Sequence, residues 1–266
     1  MKERKRPVKG TGEWAAFSDN IQTGCEHECL YCYARTNAAR YGKKDPTTWA
    51  KPVINQSAVD KRRGKKNGTI MFPTTHDITP DNVKECIIVL KKLVESGNKV
   101  LIVSKPHLAC VVDMCDALKD YKSQILFRFT IGSSSDETLK KWEPGATMFW
   151  ERVECLKYAH GYGFQTSVSC EPMLDQHIDK VVAYTRAYVT DAIWLGKPNK
   201  ITRRLVTNNP NNPDAEQMAK ELEGQFPDEF IWELYHRYEN DPLIKWKDSI
   251  KEVVGLERSM VKGLDR

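Results

Sequence analysis

Three of the chain's eight cysteines lie close together in the stretch of residues 24–35, which reads GCEHECLYCYAR. Their spacing is C-x3-C-x2-C, formed by Cys25, Cys29 and Cys32. Thiolates are the usual ligands of iron-sulfur clusters, and a four-iron cluster normally takes four of them. Three close cysteines without a nearby fourth therefore predict a [4Fe-4S] cluster with one iron left open to bind another molecule.

Zinc is the main alternative ligand of these thiols, because the three cysteines and His27 would together make a tetrahedral set. His27 lies between Cys25 and Cys29, however, and so tight a loop could hardly direct all four side chains at one ion. A zinc ribbon would also require a second CxxC pair, and none is formed by the other cysteines: Cys86, Cys110, Cys115, Cys155 and Cys170. The cluster is the favoured interpretation, with zinc and unliganded structural thiols as alternatives.

The bulk composition is that of a globular protein. At 266 residues and 40% hydrophobic composition, the chain can bury a substantial core without disulfides. No stretch approaches the roughly 18 to 20 apolar residues of a membrane span, and no apolar segment follows the basic N-terminus. We therefore expect a cytoplasmic protein with reduced thiols and no membrane segment.

The charge is mildly basic, with 41 Lys and Arg against 36 Asp and Glu and a net charge of +5. Basic residues cluster in the first nine positions and again in residues 61–66, which read KRRGKK. The second run follows the cysteine loop along the chain, so we expect it at the same end of the fold, where it could meet phosphates. A solvated, mobile loop is the alternative interpretation.

The elements that must position the cysteines follow an α/β pattern. Runs of strand length alternate with segments of helical period, which predicts βα units around a parallel sheet. The predicted helices cover residues 81–96, 108–119 and 148–160. The predicted strands are 20–23, 69–73, 99–104, 124–131, 165–169 and 192–195.

The character of the sequence changes after residue 199. A loop rich in Asn and Pro at residues 208–213 precedes predicted helices at 214–223, 228–238 and 241–253. We therefore divide the chain into a basic N-terminal segment (1–19), an α/β domain (20–200) and a C-terminal helical extension packed on it (201–266).

Several motifs in this order resemble the radical S-adenosylmethionine (SAM) superfamily, and more narrowly its spore photoproduct lyase-like branch. The cysteine loop is the most specific of them, and the resemblance covers residues 20 to about 200. It implies a partial (β/α)6 TIM-type barrel. The motifs are NIQTGC at 20–25, CY at 32–33, THDITP at 75–80, VSKP at 103–106, EPGA at 143–146 with Arg152, and EP at 171–172.

The resemblance also implies an activity. In this superfamily the open iron chelates SAM, and reductive cleavage gives a 5′-deoxyadenosyl radical that abstracts hydrogen from a substrate. A nucleic acid or nucleotide is the expected substrate, flavodoxin or ferredoxin the expected electron donor, and a monomer the expected state. The alternatives are a peptide or small-metabolite substrate, or a zinc-stabilised nucleic-acid-binding module without catalysis.

By the same resemblance, individual residues receive roles. Cys25, Cys29 and Cys32 bind the cluster, and Tyr31 lies near the adenine. The SAM amino group lies near the strand-end residues Thr75, His76 and Asp77, and the SAM carboxylate meets Lys105 beside Ser104. Thr130 faces SAM from the fourth strand. The alternatives are a packing aromatic for Tyr31, a capping or turn residue for Asp77, and an ordinary strand residue for Thr130.

Two further features remain open at this level. Cys170 ends the fifth predicted strand, and alternation could point its thiol into the barrel mouth as a hydrogen-atom donor to a substrate radical; a buried inert thiol is the alternative. Glu143 and Arg152 are expected to pair with each other and to hold the loop before the helix.

Overall fold

The structure is a computed structural model that describes residues 7–264. Most of the basic cluster in the first nine residues therefore lies outside the described residues. Nine strands are found in this part of the chain: β1 Phe17–Ser18, β2 Gln22–Thr23, β3 Val53–Ile54, β4 Ile70–Phe72, β5 Val100–Ser104, β6 Ile125–Thr130, β7 Gln165–Cys170, β8 Ile193–Leu195 and β9 Ile244–Trp246.

Twelve α-helices accompany these strands in the described residues. They are α1 Thr11–Trp14, α2 Tyr33–Arg40, α3 Gln56–Asp60, α4 Val83–Glu95, α5 Leu108–Ala117, α6 Asp136–Trp142, α7 Phe149–Gly161, α8 Ile178–Thr185, α9 Ile201–Asn208, α10 Ala215–Gly224, α11 Asp228–Tyr238 and α12 Asp248–Val254. None of these helices is long and apolar enough to cross a lipid bilayer.

Seven strands form one sheet in the order β1-β4-β5-β6-β7-β8-β9, and every neighbouring pair in it is parallel. Helices connect successive strands, which parallel pairing requires. The sheet is open, because no pairing joins β1 to β9 in the described chain. The expected α/β fold with a partial TIM-type barrel is confirmed.

The two faces of the sheet bury different clusters, because side chains alternate along a strand. Phe127 and Phe129 of β6 join the main core under the helices. Met71 and Leu101 face the other way and pack with Ala15 of the N-terminal segment. The N-terminal segment therefore covers the inner face of the partial barrel.

The first and last strands differ from the prediction. Residues 22–23 do not enter the sheet but pair antiparallel with β3, and the first sheet strand is instead β1, two residues long. Residues 244–246, predicted as helix, form β9 parallel to β8. Both errors concern segments of two or three residues, for which periodicity cannot separate strand from helix.

A buried ion pair fastens the N-terminal segment to the end of β9. Lys247 Nζ lies 2.9 Å from Glu13 Oε1, donates to the Gly10 carbonyl at 3.2 Å and lies 3.8 Å from the centroid of the Trp14 ring. Burial raises the pKa of Glu13 to about 7, although Lys247 opposes the shift. This contact joins the two ends of the described chain across the barrel.

We predict that Lys247→Met destabilises the fold by about 3–5 kcal/mol, because Glu13 would be left buried without its cation. Urea unfolding would measure the loss. Lys245→Met on the same strand serves as the control and should change stability by less than about 0.5 kcal/mol. The double variant Lys247→Met/Glu13→Gln should recover part of the loss, and equal stability of Lys247→Met and wild type would contradict the assignment.

Candidate active site

A cavity of about 370 Å³ lies at the carboxyl ends of the parallel strands. Residues that follow β4, β5 and β7 line it, together with all three cysteines of the C-x3-C-x2-C loop. In folds built from parallel βα units, this end of the sheet is where catalytic residues gather. The topology thus brings the predicted chemistry to one place.

The cysteine loop is held by backbone contacts on both sides. Cys25 N donates to the Trp49 carbonyl at 3.0 Å, and Gly145 N donates to the His27 carbonyl at 3.1 Å. A Cβ on Gly145 would lie 2.1 Å from the Glu26 carbonyl oxygen, so only glycine allows the 143–146 loop to pack this closely. Cys32 caps α2, and its sulfur accepts from Arg35 N at 3.4 Å, a helix N-terminus that favours a thiolate.

The three sulfurs do not form a preformed single-ion site. Burial raises the pKa of all three thiols, so they need a bound cation to ionise. Three thiolates on one zinc would lie about 3.8 Å apart, given a Zn–S bond of about 2.3 Å. The three sulfurs form no such close set; the one set of three candidate ligands within 4.8 Å among the described residues is Cys25, His27 and Asp77.

His27 does not complete a four-ligand zinc set with the three cysteines. Its Nδ1 lies 2.9 Å from Asp77 Oδ2, and its Nε2 lies 2.8 Å from His107 Nε2. Both ring nitrogens are therefore engaged by the side chains around the loop. The contact with His107 could not be seen in the sequence, because the two residues are 80 positions apart.

Asp77 is the central charge of the cavity wall. Its Oδ1 accepts from Lys105 N at 2.8 Å and from Ser104 Oγ at 3.0 Å, and its Oδ2 lies 3.6 Å from Lys105 Nζ. Burial by itself would raise the pKa of Asp77, but Lys105 and His27 outweigh it and hold that pKa well below its usual value. In return, Asp77 outweighs burial and raises the pKa of Lys105 well above its usual value.

A second ionic chain lies beside this pair, with Lys105 Nζ 5.9 Å from the centroid of the Tyr31 ring. The Tyr31 hydroxyl donates to Glu143 Oε1, and Glu143 Oε2 lies 2.6 Å from Arg152 Nη2. Arg152 also donates to the Thr130 carbonyl at 3.1 Å. The expected pairing of Glu143 with Arg152 is confirmed, and it links two of the predicted site residues, Tyr31 and Thr130.

The other predicted residues take different positions. Thr75, His76 and Thr130 line the cavity, but both ring nitrogens of His76 lie near backbone groups, Ile21 N at 3.4 Å and the Asp77 carbonyl at 3.0 Å. Ser104 is buried and accepts from Ile78 N at 3.0 Å. His76 and Ser104 therefore position the neighbouring backbone and Asp77.

Of the two possibilities left open for Cys170, a thiol in the barrel mouth and a buried inert thiol, the structure supports the second. Cys170 is buried in the main core beneath the helices, whereas Ser169 lines the cavity. Alternation along β7 allows only one of two adjacent residues to face inward. Burial also raises the pKa of the Cys170 thiol, as expected of the inert thiol that was the alternative.

The predicted location of residues 61–66 at the cavity end of the sheet does not hold for Lys65 and Lys66. Lys65 Nζ donates to the Gly97 carbonyl, and Lys66 N donates to Asn98 Oδ1 at 2.7 Å. These partners lie between α4 and the start of β5, at the end of the sheet remote from the cavity. The run lies between the end of α3 and the start of β4 and passes along the edge of the sheet. There Arg63 pairs with Asp19 at 2.7 Å.

The cavity lining also includes residues that were not predicted as site residues, among them Trp14, Ser169, Glu171 and Arg204. Glu171 Oε2 lies 3.4 Å from Lys247 Nζ. The buried ion pair between Lys247 and the N-terminal segment is therefore connected to the cavity. Ser169 could have been found from strand alternation. Trp14 and Arg204 come from segments outside the predicted α/β domain, and no local pattern marked them.

Comparisons with known proteins agree with this geometry. The family described as the radical SAM superfamily matches residues 20–188. An uncharacterised protein of Acidianus two-tailed virus is 28% identical over 166 residues, which span 58% of this chain and 54%, about half, of the viral protein. An uncharacterised protein of Methanocaldococcus jannaschii is 22% identical over 78% of this chain and 82% of its own length.

Solved structures with the same fold include two enzymes. A spore photoproduct lyase variant with a dinucleoside spore photoproduct has a TM-score of 0.57 and 15% identity, covering 92% of this chain and 80% of that one. Streptococcus suis SuiB bound to the precursor peptide SuiA has a TM-score of 0.55 and 12% identity, covering 96% of this chain and 54% of that one. These likenesses concern the fold.

We predict that Asp77→Asn destabilises the protein by about 3–5 kcal/mol, because Lys105 would be left buried without its anion. Because the folded-state pKa of Asp77 is depressed, its contribution is fully present above pH 3.8 and is lost as the pH falls toward the folded value. Urea unfolding at pH 7 and at about pH 2.5 would measure both effects. Asp81→Asn, at an exposed position, is the control, and equal losses in the two variants would contradict the role of Asp77.

Proposed function

The chain belongs to the radical SAM superfamily, and we propose that it uses its cofactors, a [4Fe-4S] cluster and SAM, on a nucleic acid or nucleotide substrate. The bound cofactors supply reductive cleavage of SAM and hydrogen abstraction by the 5′-deoxyadenosyl radical, while the protein supplies position and exclusion of water. The observation that carries the proposal is that the three cysteines and the Asp77–Lys105 pair line a single cavity.

We assign the cluster to Cys25, Cys29 and Cys32. Three features support this assignment: the thiols line the cavity, their sulfurs do not form a single-ion set, and Lys105 lies close enough to favour ionisation of Cys29. The helix N-terminus at Cys32 adds a partial positive charge. The cluster would thus be held at the wall that Asp77 organises.

We assign SAM to the part of the cavity between the cysteine loop and the ends of β4, β5 and β6. Lys105 would bind the carboxylate through a charge-assisted bond, and Asp77 would accept from the amino group. Tyr31 and Thr130 would contact the adenosyl part, since both line the cavity and are held by the Glu143–Arg152 pair. Thr75 lines the same part of the cavity. His76 and Ser104 position the neighbouring backbone and Asp77.

We favour a nucleotide substrate over a peptide, although the cavity lining carries three carboxylates, Glu28, Asp77 and Glu171, as well as three cations. Besides Lys105, the residues that line the cavity include two cations, Lys9 and Arg204. The cavity is near the lower end of the roughly 300–1,000 Å³ found for ligand pockets, so a nucleic acid would have to present one nucleotide turned out of its stack. The similar lyase structure also has a dinucleoside ligand.

We predict that the anaerobically reconstituted protein binds about four iron and four sulfide. Cys25→Ala, Cys29→Ala and Cys32→Ala should each abolish this, whereas Cys170→Ala, in the core, should retain the cluster. Iron and sulfide analysis with absorption spectra would measure the result. Stoichiometric zinc without iron, or a cluster that survives Cys32→Ala, would contradict the assignment.

We predict that the holoenzyme binds a single-stranded oligonucleotide. The logarithm of its binding constant should fall linearly with the logarithm of the salt concentration, with a slope of roughly −0.7 for each phosphate contact. Fluorescence anisotropy across a salt series would measure the slope. Replacing Lys65 and Lys66 together with Ala should leave the slope unchanged, since they lie at the other end of the sheet. No binding at low salt would contradict a nucleic-acid substrate and favour the peptide alternative.

A further inference from the structure

We propose that Arg204 binds a phosphate group of the substrate, an inference that rests on the function proposed above. Arg204 belongs to α9, which follows β8, and it lines the cavity. The family match ends at residue 188, so Arg204 lies outside the segment that the superfamily shares. It is therefore a candidate for specificity rather than for the shared chemistry.

The cations that line the cavity differ in whether they have a partner. Lys105 pairs with Asp77 at 3.6 Å, and Lys9 pairs with Asp248 at 3.2 Å. Arg204 forms no ion pair with any carboxylate of residues 7–264. Since a partly buried charge is costly without a counter-charge, an anion in the cavity would stabilise this guanidinium.

Glu171 is the carboxylate that acts on Arg204, but it forms its ion pair with Lys247. Glu171 lines the same cavity, but its Oε2 lies 3.4 Å from Lys247 Nζ. Lys247 in turn is fixed by Glu13 at 2.9 Å. Burial lowers the pKa of Arg204, and Glu171 and Cys32 oppose the shift without cancelling it.

Arg204 and Lys105 reach the cavity from different strands of the sheet, and both interact electrostatically with Cys32. Lys105 follows β5, whereas Arg204 comes after β8, and strands β6 and β7 lie between them in the sheet. Two anionic groups could thus be bound at separate points along the cavity rim. A guanidinium matches a phosphate well, because its planar fork can donate two parallel hydrogen bonds.

The chain offers a matched control. Arg203 is the preceding residue of α9 and is exposed, whereas Arg204 is partly buried. Arg203→Gln and Arg204→Gln therefore remove the same charge from the same helix, on the solvent side and on the cavity side. Arg204→Lys keeps the charge and removes the fork.

The test compares two probes of equal shape, thymidylyl-thymidine and its uncharged methylphosphonate analogue, on the cluster-loaded protein with SAM present. Calorimetry should show the wild type binding the phosphodiester roughly tenfold or more tightly than the analogue, as expected for a charge-assisted bond. The ratio should fall to about one in Arg204→Gln, persist in Arg203→Gln and be intermediate in Arg204→Lys.

The affinity for SAM, measured in the same variants, identifies the source of the anion. We expect Arg204→Gln to change it by less than about twofold. A large loss of SAM affinity with an unchanged probe ratio would mean that Arg204 binds the SAM carboxylate, and a wild-type ratio of one would also overturn the proposal. Iron content and SAM cleavage by the wild type report separately on the proposed function, so the two can fail independently.

Discussion

The buried Asp77 carboxylate is the interaction on which the cavity depends. It contacts the cysteine loop through His27 and the end of β5 through Ser104 and Lys105. Three segments that are far apart in the sequence therefore meet at one carboxylate. Because its partners compensate the charge, the residue stays ionised in a place where burial alone would protonate it.

The same principle repeats around the cavity. Glu143 is compensated by Arg152, and Lys247 by Glu13 and Glu171. Removing one partner of a buried pair costs more stability than the pair contributes as a whole, because the other charge is left uncompensated. These contacts therefore hold the cavity walls in one arrangement. Against this background, Arg204 stands out as a cavity-lining cation that has no carboxylate partner within the described chain.

The N-terminal segment belongs to the barrel rather than to a separate tail. Ala15 packs on Met71 and Leu101 at the inner face of the sheet, and Trp14 lies between Lys247 and Arg128, with their charged groups 3.8 Å and 4.7 Å from its ring centroid. The segment thus occupies the space that an open sheet leaves unfilled. Trp14 of this segment also lines the cavity.

The sequence by itself determined the chemistry of the cysteine loop, the alternation of strands and helices, and the strand ends that carry Asp77, Lys105 and Thr130. These features are local: they depend on spacing within a few residues or on a period that repeats through one element. The sequence did not determine which way the Cys170 side chain points, because alternation defines two faces of a strand without saying which one is inward. Only the tertiary structure decided that β1 and β9 complete the sheet, that His107 meets His27, and that Trp14 and Arg204 reach the cavity. Those contacts join segments from 80 to more than 200 positions apart, where no periodic signal exists and packing alone selects the partner.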